Sequence, residues 1–97
     1  MAEKYKIKKI SEITKNDKKV VLIGKAVDVN KNSFLLDDGS GKEEIFFVGE
    51  IEKNNFVRVF CSIGEKLRAD IVQVIEENDF YLFRDFNELY RKVEDYV

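Results

Sequence analysis

The stretch from residue 33 to 48 constrains the fold of this chain most, because it reads as two short strands joined by a tight turn. The turn has the sequence Asp-Asp-Gly-Ser-Gly over residues 37 to 41. Its glycines permit positive φ, and its aspartates can accept hydrogen bonds from nearby backbone N–H groups. On both sides of the turn, side chains alternate with the period of two that a strand requires. The pattern predicts a β-hairpin in which Phe46 points outward and the inward side chains are Phe34, Leu36, Ile45 and Phe47.

Three further strands are predicted around this hairpin. A β-branched stretch over residues 20 to 29 contains Gly24, and the apolar register changes parity across that glycine, so we expect a β-bulge there. Residues 56 to 62 predict a fourth strand, with apolar side chains on both faces, so alternation does not decide which face is interior. Residues 67 to 75 predict a fifth strand. Five short strands with a longer polar connection after the third are typical of a mainly β protein, a five-stranded OB-type barrel.

The segments before and after these strands do not have the strand pattern. Ile7, Ile10 and Ile13 recur every third residue, which suits a short helical turn or an irregular lead-in. After the last strand, apolar residues recur at helical spacing, and we expect a C-terminal amphipathic α-helix over residues 79 to 97 with Asp79 as its N-cap.

The apolar stripe of that helix is wider than one end of a small barrel can cover. Left exposed, it would form a larger apolar patch than soluble monomers normally carry. We therefore predict a contact with another subunit, either a second copy of the chain or a different partner; the alternative is a helix that folds flat on its own barrel. The interface residues would be Leu82, Phe86, Leu89, Tyr90, Val93, Tyr96 and Val97.

Length and composition limit the remaining classes of protein. A chain of 97 residues predicts one domain over residues 1 to 97, with the lead-in and barrel over about 7 to 78. No apolar run approaches the roughly 20 residues that span a bilayer, and the N-terminus lacks the apolar core of a signal peptide. Cys61 is the only cysteine, so no disulfide can form within the chain. We therefore expect a cytoplasmic protein without membrane association.

Catalytic chemistry is not expected. The sequence has no histidine, so Cys61 lacks an obvious base or co-ligand and is read as a small buried hydrophobic residue. Asp37 and Asp38 are adjacent and are expected to shape the turn rather than to transfer protons or to hold a metal ion. The sequence thus predicts no enzyme, no metal site and no cofactor.

The net charge of −2 conceals a gradient along the chain. Residues 1 to 32 hold nine lysines against four carboxylates, whereas the rest of the chain is acidic. This basic first third is the part that could face a polyanion, although such lysines also commonly do no more than keep strand edges solvated.

Several of these features together resemble a known family. Gly24, the stretch from Phe34 to Gly41, the sequence Val57-Arg58-Val59-Phe60 and a helix after the last strand resemble the OB domains of replication protein A, particularly its small and middle subunits and their archaeal relatives. The resemblance covers roughly residues 7 to 97. In that family the barrel binds single-stranded DNA or serves as a subunit scaffold, and the C-terminal helices of three subunits pack into one bundle.

The resemblance implies a non-catalytic subunit of a replication-protein-A-like complex, which binds single-stranded DNA weakly and assembles through its C-terminal helix. Two alternatives stay open: a pure assembly subunit without nucleic-acid contact, and an OB module that binds RNA or tRNA. OB domains bind across the second and third strands, where aromatic side chains stack on bases and cations follow the phosphates. The candidate residues, which could instead serve the core, a subunit contact or plain solvation, are Phe46 first, then Phe60 and Phe56, with the cations Lys25, Lys31, Lys42, Arg58 and Arg68.

Overall fold

The structure, a computed structural model, describes residues 4 to 82, and the fold over this part of the chain is mainly β. The strands join into one sheet, and a short helix, α1, covers residues 77 to 82. In chain order the preceding elements are β1 (Lys6–Ile7), a 3₁₀ helix (Ile10–Glu12), β2 (Lys19–Val29), β3 (Ser33–Asp37), β4 (Lys42–Phe46), β5 (Phe56–Ile63) and β6 (Leu67–Ile75).

Five of the strands pair in a closed ring. β2 pairs with β3, β3 with β4, β4 in parallel with β6, β6 with β5, and β5 back with β2, while β1 pairs in parallel with β2 outside the ring. β2 can belong to two pairings because residues 19 to 25 pair with β5 and residues 25 to 29 with β3. The parallel link between β4 and β6 consists of one register pair, Phe46 with Arg68.

The core lies inside this ring. Val57, Val59 and Cys61 are fully buried, which answers the question that alternation left open and makes Phe56, Arg58 and Phe60 the outer face of β5. Burying one such apolar side chain stabilises a fold by about 1.5–3 kcal/mol. The other buried residues of this cluster are Val20, Leu22, Ala26, Phe34, Leu36, Ile45 and Leu67.

The prediction of a β-bulge at Gly24 is wrong in its position. Inward alternation continues from Leu22 through Gly24 to Ala26, all of which are buried. The register with β3 shifts only between Ala26 and Asp28, so Val27 is the additional residue. The extra residue bends β2 beyond its last pair with β5. The sequence pattern had predicted this bend at the glycine.

Several element boundaries also differ from the sequence predictions. The lead-in contains both a two-residue strand and a 3₁₀ turn. The second hairpin strand ends at Phe46, and Val48, which was predicted to lie in it, is 82% exposed. Phe47 is half-buried and packs against the core.

Helix α1 begins at residue 77, so Asp79 lies inside the helix and is not its N-cap. Phe80 anchors the helix, because its side chain is only 7% exposed and its ring centroid lies 5.0 Å from that of Phe56. Leu82, by contrast, is 67% exposed. Within residues 4 to 82, no helix is long and apolar enough to cross a membrane. The other predicted interface residues lie outside the described part of the chain: Phe86, Leu89, Tyr90, Val93, Tyr96 and Val97.

Candidate nucleic-acid interface

The aspartates of the hairpin turn are occupied by backbone groups. Asp38 Oδ1 accepts hydrogen bonds from the N–H groups of Ser40 at 2.9 Å and Gly41 at 3.2 Å, and Asp38 Oδ2 accepts one from the Ile10 N–H at 2.7 Å. Asp37 Oδ1 accepts from the N–H of Gly39, whose φ is 88°. Both carboxylates therefore shape the turn, as predicted, and Asp38 also ties the lead-in to the hairpin. No group of three or more potential metal ligands occurs among the described residues.

Phe46 lies at the end of β4 on the outer face of the sheet, as the alternation predicts. Its side chain is half-buried, and Lys66 Nζ lies 4.5 Å from the centroid of its ring. Arg68 is its register partner on β6. Phe46 is thus an aromatic side chain accompanied by two cationic residues. Sequence reasoning missed Lys66, because only the pairing of β4 with β6 brings the turn between β5 and β6 to this side chain.

The loop between β2 and β3 reaches the same end of β4. The N–H of Phe47 donates to the carbonyl oxygen of Asn32 at 3.0 Å, and Ser33 is the β3 register partner of Phe46. Lys31, an exposed cation on this loop, stands one residue before Asn32. Phe46 is therefore flanked by two loops that each carry a lysine.

Two of the predicted residues lie far from Phe46. Lys25 and Phe56 are register partners, and Lys25 Nζ lies 5.8 Å from the centroid of the Phe56 ring. Phe56 is six residues along β5 from Ser62, which pairs with Arg68 beside Phe46, and six residues of strand span about 20 Å. The Phe56 ring also packs against the ring of Phe80, so Phe56 contributes to the contact of α1 with the sheet.

Arg58 and Phe60 lie between these two ends. The Arg58 guanidinium carbon is 5.6 Å from the Phe60 ring centroid, and Arg58 Nε donates to Gln73 Oε1 at 2.7 Å. The ring of Tyr5 meets Phe60 edge-on, with centroids 5.3 Å apart. Phe60 is thus packed among neighbours on the outer face. The lead-in carries no strand signal, so sequence reasoning could not place Tyr5 there.

Asp70 connects Tyr5 to β5 on this face. Its Oδ2 accepts hydrogen bonds from Ser62 Oγ at 2.5 Å and from the Tyr5 hydroxyl at 2.8 Å. The bond from Ser62 is the main reason that the pKa of Asp70 lies below its ordinary value, and the bond to Asp70 raises the pKa of Tyr5. Lys19 and Arg68 are also close enough to lower the pKa of Asp70.

The central outer face of β3 and β4 is not basic. Lys42, an exposed residue, is the register partner of Asp37, and Glu44 accepts a 3.3 Å hydrogen bond from Ser33 Oγ. β2 contributes Asp28 and Lys25 beside β3. Carboxylates thus balance the lysines at the centre, and the cationic part of this face is the end that carries Phe46, Lys66 and Arg68.

Comparison of the sequence with protein-family models finds no match, and comparison with curated proteins finds none either.

Proposed function

We propose that the chain is a non-catalytic OB-type barrel that binds single-stranded nucleic acid, with little sequence preference, at Phe46. The closed ring of five paired strands, with its parallel link between the third and fifth strands of the ring, supports an OB-type barrel. In such barrels the second and third strands and the flanking loops bind oligonucleotides.

The observation that carries the proposal is the pairing of an outward aromatic ring with cations from two other elements. A lysine over a half-buried ring contributes about 0.5–2 kcal/mol, whereas stacking of a base on an aromatic side chain is worth roughly 1–3 kcal/mol. A base can therefore displace Lys66 from the ring of Phe46 with a net gain. The displaced ammonium group, together with Arg68 and Lys31, is then available to phosphates of the same strand.

The test is a fluorescence-anisotropy titration of labelled oligodeoxythymidylate and oligouridylate at low salt. Phe46→Ala is expected to weaken binding roughly 5- to 150-fold, which corresponds to the loss of about 1–3 kcal/mol of stacking. Tyr81→Ala is the matched control, because Tyr81 is an aromatic residue 50% exposed on α1 and is expected to leave the affinity unchanged. Absence of binding to both oligonucleotides would overturn the proposal, and a preference for oligouridylate would favour the RNA-binding alternative.

A second candidate function, assembly into a replication-protein-A-like complex, is favoured by two exposed apolar side chains of α1. Tyr81 and Leu82 are 50% and 67% exposed there, next to the anchored Phe80. The partner would be a second copy of the chain or a replication-protein-A-like subunit. We expect the full chain to form a stable oligomer by light scattering, and truncation after Glu88 to give a folded monomer. A monomeric full chain, or loss of the β fold on truncation, would contradict the assembly function.

A further inference from the structure

Strand β6 has a strand partner on only one of its edges over most of its length. Ala69 and residues 71 to 75 pair with β5, whereas the link to β4 is the single pair of Phe46 with Arg68. Within residues 4 to 82, no turn or loop adds a backbone hydrogen bond to residues 71 to 75. Among the described residues this edge is therefore unpaired, and we call residues 71 to 75 the open edge.

The open edge lacks the features that usually prevent a strand from pairing with another chain. Natural edge strands commonly carry charges, a proline or a bulge for this purpose. The open edge reads Ile-Val-Gln-Val-Ile and contains no charged residue and no proline. The additional residue at the register shift, Asp70, precedes it, and Glu76 follows it. The five residues between these two carboxylates can therefore pair with a further strand.

Two exposed apolar side chains of the open edge lie on opposite faces of the sheet. Ile71 is 50% exposed and pairs with Phe60 on the outer face. Val74 is 61% exposed and pairs with Val57, whose side chain points into the core. A helix or a domain docked on one face would cover only one of them. A strand added beside β6 would pack against both, because its own side chains alternate between the two faces.

The order of residues on the open edge indicates a second copy of the chain as that strand. The sequence reads the same in both directions about Gln73, so two copies in antiparallel orientation match residue for residue. Ile71 then lies opposite Ile75 of the second copy on the outer face. Val72 lies opposite Val74 of the second copy on the inner face. Gln73 lies opposite its own equivalent, as a contact across a two-fold axis requires.

Charge limits this pairing to five residues. One step beyond the open edge, Asp70 would lie opposite Glu76 of the second copy, and like charges directly opposite each other are destabilising. Asp70 is bound instead by Tyr5 and Ser62 of its own copy. Stable interfaces usually bury about 1,200–2,000 Å² in total, more than five residue pairs supply. The contact therefore adds to the predicted helix interface and does not replace it.

We propose that the open edge of β6 pairs antiparallel with the open edge of a second copy, which gives one continuous sheet across a two-fold axis at Gln73. This inference rests on the second candidate function, assembly, and names a second copy of the chain as the partner. Phe46 stays outside the contact, because β4 meets β6 at Arg68, ahead of the open edge.

Disulfide cross-linking of the full chain tests the contact. Directly opposite residues of antiparallel strands have Cα atoms about 4.5–5.5 Å apart, within the range of about 4.4–6.8 Å that a disulfide spans. Gln73→Cys is therefore expected to give a disulfide-linked dimer under mild oxidation, measured by non-reducing electrophoresis. Lys53→Cys is the matched control, because Lys53 is exposed on the connection between β4 and β5. The native Cys61 is buried and is not expected to cross-link.

The rate of cross-linking distinguishes pairing from random collision. At about 10 μM chain, Gln73→Cys should link about a hundredfold faster than Lys53→Cys, because pairing raises the local thiol concentration to about 1 mM. Equal rates for the two variants would overturn the proposal.

The register of the pairing has its own test. In Ile71→Cys the two thiols would lie four residues apart along the paired strands, about 13 Å, which is beyond the reach of a disulfide. Ile71→Cys alone should therefore not link, whereas a mixture of Ile71→Cys with Ile75→Cys should. Self-linkage of Ile71→Cys as fast as that of Gln73→Cys would overturn the two-fold axis at Gln73.

Light scattering of the same full chain separates this inference from the assembly function. An oligomer in which Gln73→Cys does not link would overturn the β6 contact and leave assembly standing, with the open edge covered by the C-terminal segment or by a different chain. A monomer without linkage would overturn both. The oligonucleotide titrations of Phe46→Ala test the nucleic-acid site independently of either result.

Discussion

Gly24 passes so close to Asp37 that a Cβ on Gly24 would lie 2.5 Å from the Asp37 carbonyl oxygen. The contact occurs where β2 leaves one partner for another, since the next residue, Lys25, pairs with both Phe56 on β5 and Asp37 on β3. The obstructing atom belongs to the backbone and cannot rotate away. Glycine is therefore required at this position for the backbone of β3 to approach β2 so closely.

Gly24→Ala is expected to destabilise the protein by about 1–3 kcal/mol, the usual cost of overpacking in a close-packed interior. Urea denaturation followed by circular dichroism measures the loss. Gly64→Ala is the control, because a Cβ at Gly64 meets nothing within 4 Å, and its stability should equal or slightly exceed that of the wild type. Equal stabilities for the two variants would contradict the steric explanation.

Asp17 is expected to make stability depend on pH. Its pKa is lowered in the folded protein, chiefly by the hydrogen bond from Lys8, so folding favours the ionised form. This stabilisation is complete above the unfolded-state pKa of about 3.9 and disappears as the pH falls through the lower folded-state pKa. The urea midpoint of Asp17→Asn should therefore fall below that of the wild type near neutral pH, and the gap should narrow at about pH 2. Asp28→Asn replaces an exposed carboxylate on β2 and serves as the control. An equal difference in urea midpoint between wild type and Asp17→Asn at both pH values would contradict the expectation.

The thiol of Cys61 is expected to be inert in the native state. Burial, with a smaller contribution from Asp70, raises the pKa of Cys61 to about 12. Since the thiolate is the reactive species and an ordinary thiol has a pKa of about 8.5, alkylation by iodoacetamide at about pH 8 should be more than about a thousandfold slower than in urea. Mass spectrometry of timed samples gives both rates. A native rate within about tenfold of the unfolded one would show that the thiol is accessible.

Lys31 and Lys25 are expected to contribute differently to nucleic-acid binding. Lys31 lies on the loop that touches the end of β4, whereas Lys25 stands beside Phe56, about 20 Å along the sheet from Phe46. Lys31→Gln should reduce the slope of log affinity against log salt by about 0.7, and Lys25→Gln should leave it unchanged. A larger effect from Lys25→Gln would move the binding site to the Phe56 end of β5.

Local sequence signals predicted the parts of the fold that are built from neighbouring residues. The turn at residues 37 to 41 and the outward position of Phe46 follow from turn chemistry and from a period of two, and the structure has both. Alternation could not choose the inner face of β5, because burial of Val57 depends on the strands that close the ring around it.

The candidate site was predictable only in part, for the same reason. Phe46 and Arg68 were candidates by residue type, but their adjacency results from the parallel pairing of β4 with β6, which no local pattern reveals. β1 has only two residues, too few for any periodicity, and yet its parallel pairing brings Lys6 beside the start of β2. Contacts between residues far apart in the chain decide which cations surround the aromatic ring.

The single register pair between β4 and β6 makes this the weakest junction of the ring among the described strands. Local opening there exposes few contacts, so amide protons at this junction should exchange with solvent sooner than those shared by β5 and β6. The same two residues, Phe46 and Arg68, are the proposed ligand contacts. A bound oligonucleotide would contact both strands of this junction and hold them together. Hydrogen exchange at the junction should therefore slow on binding, because a ligand that prefers the closed form suppresses opening.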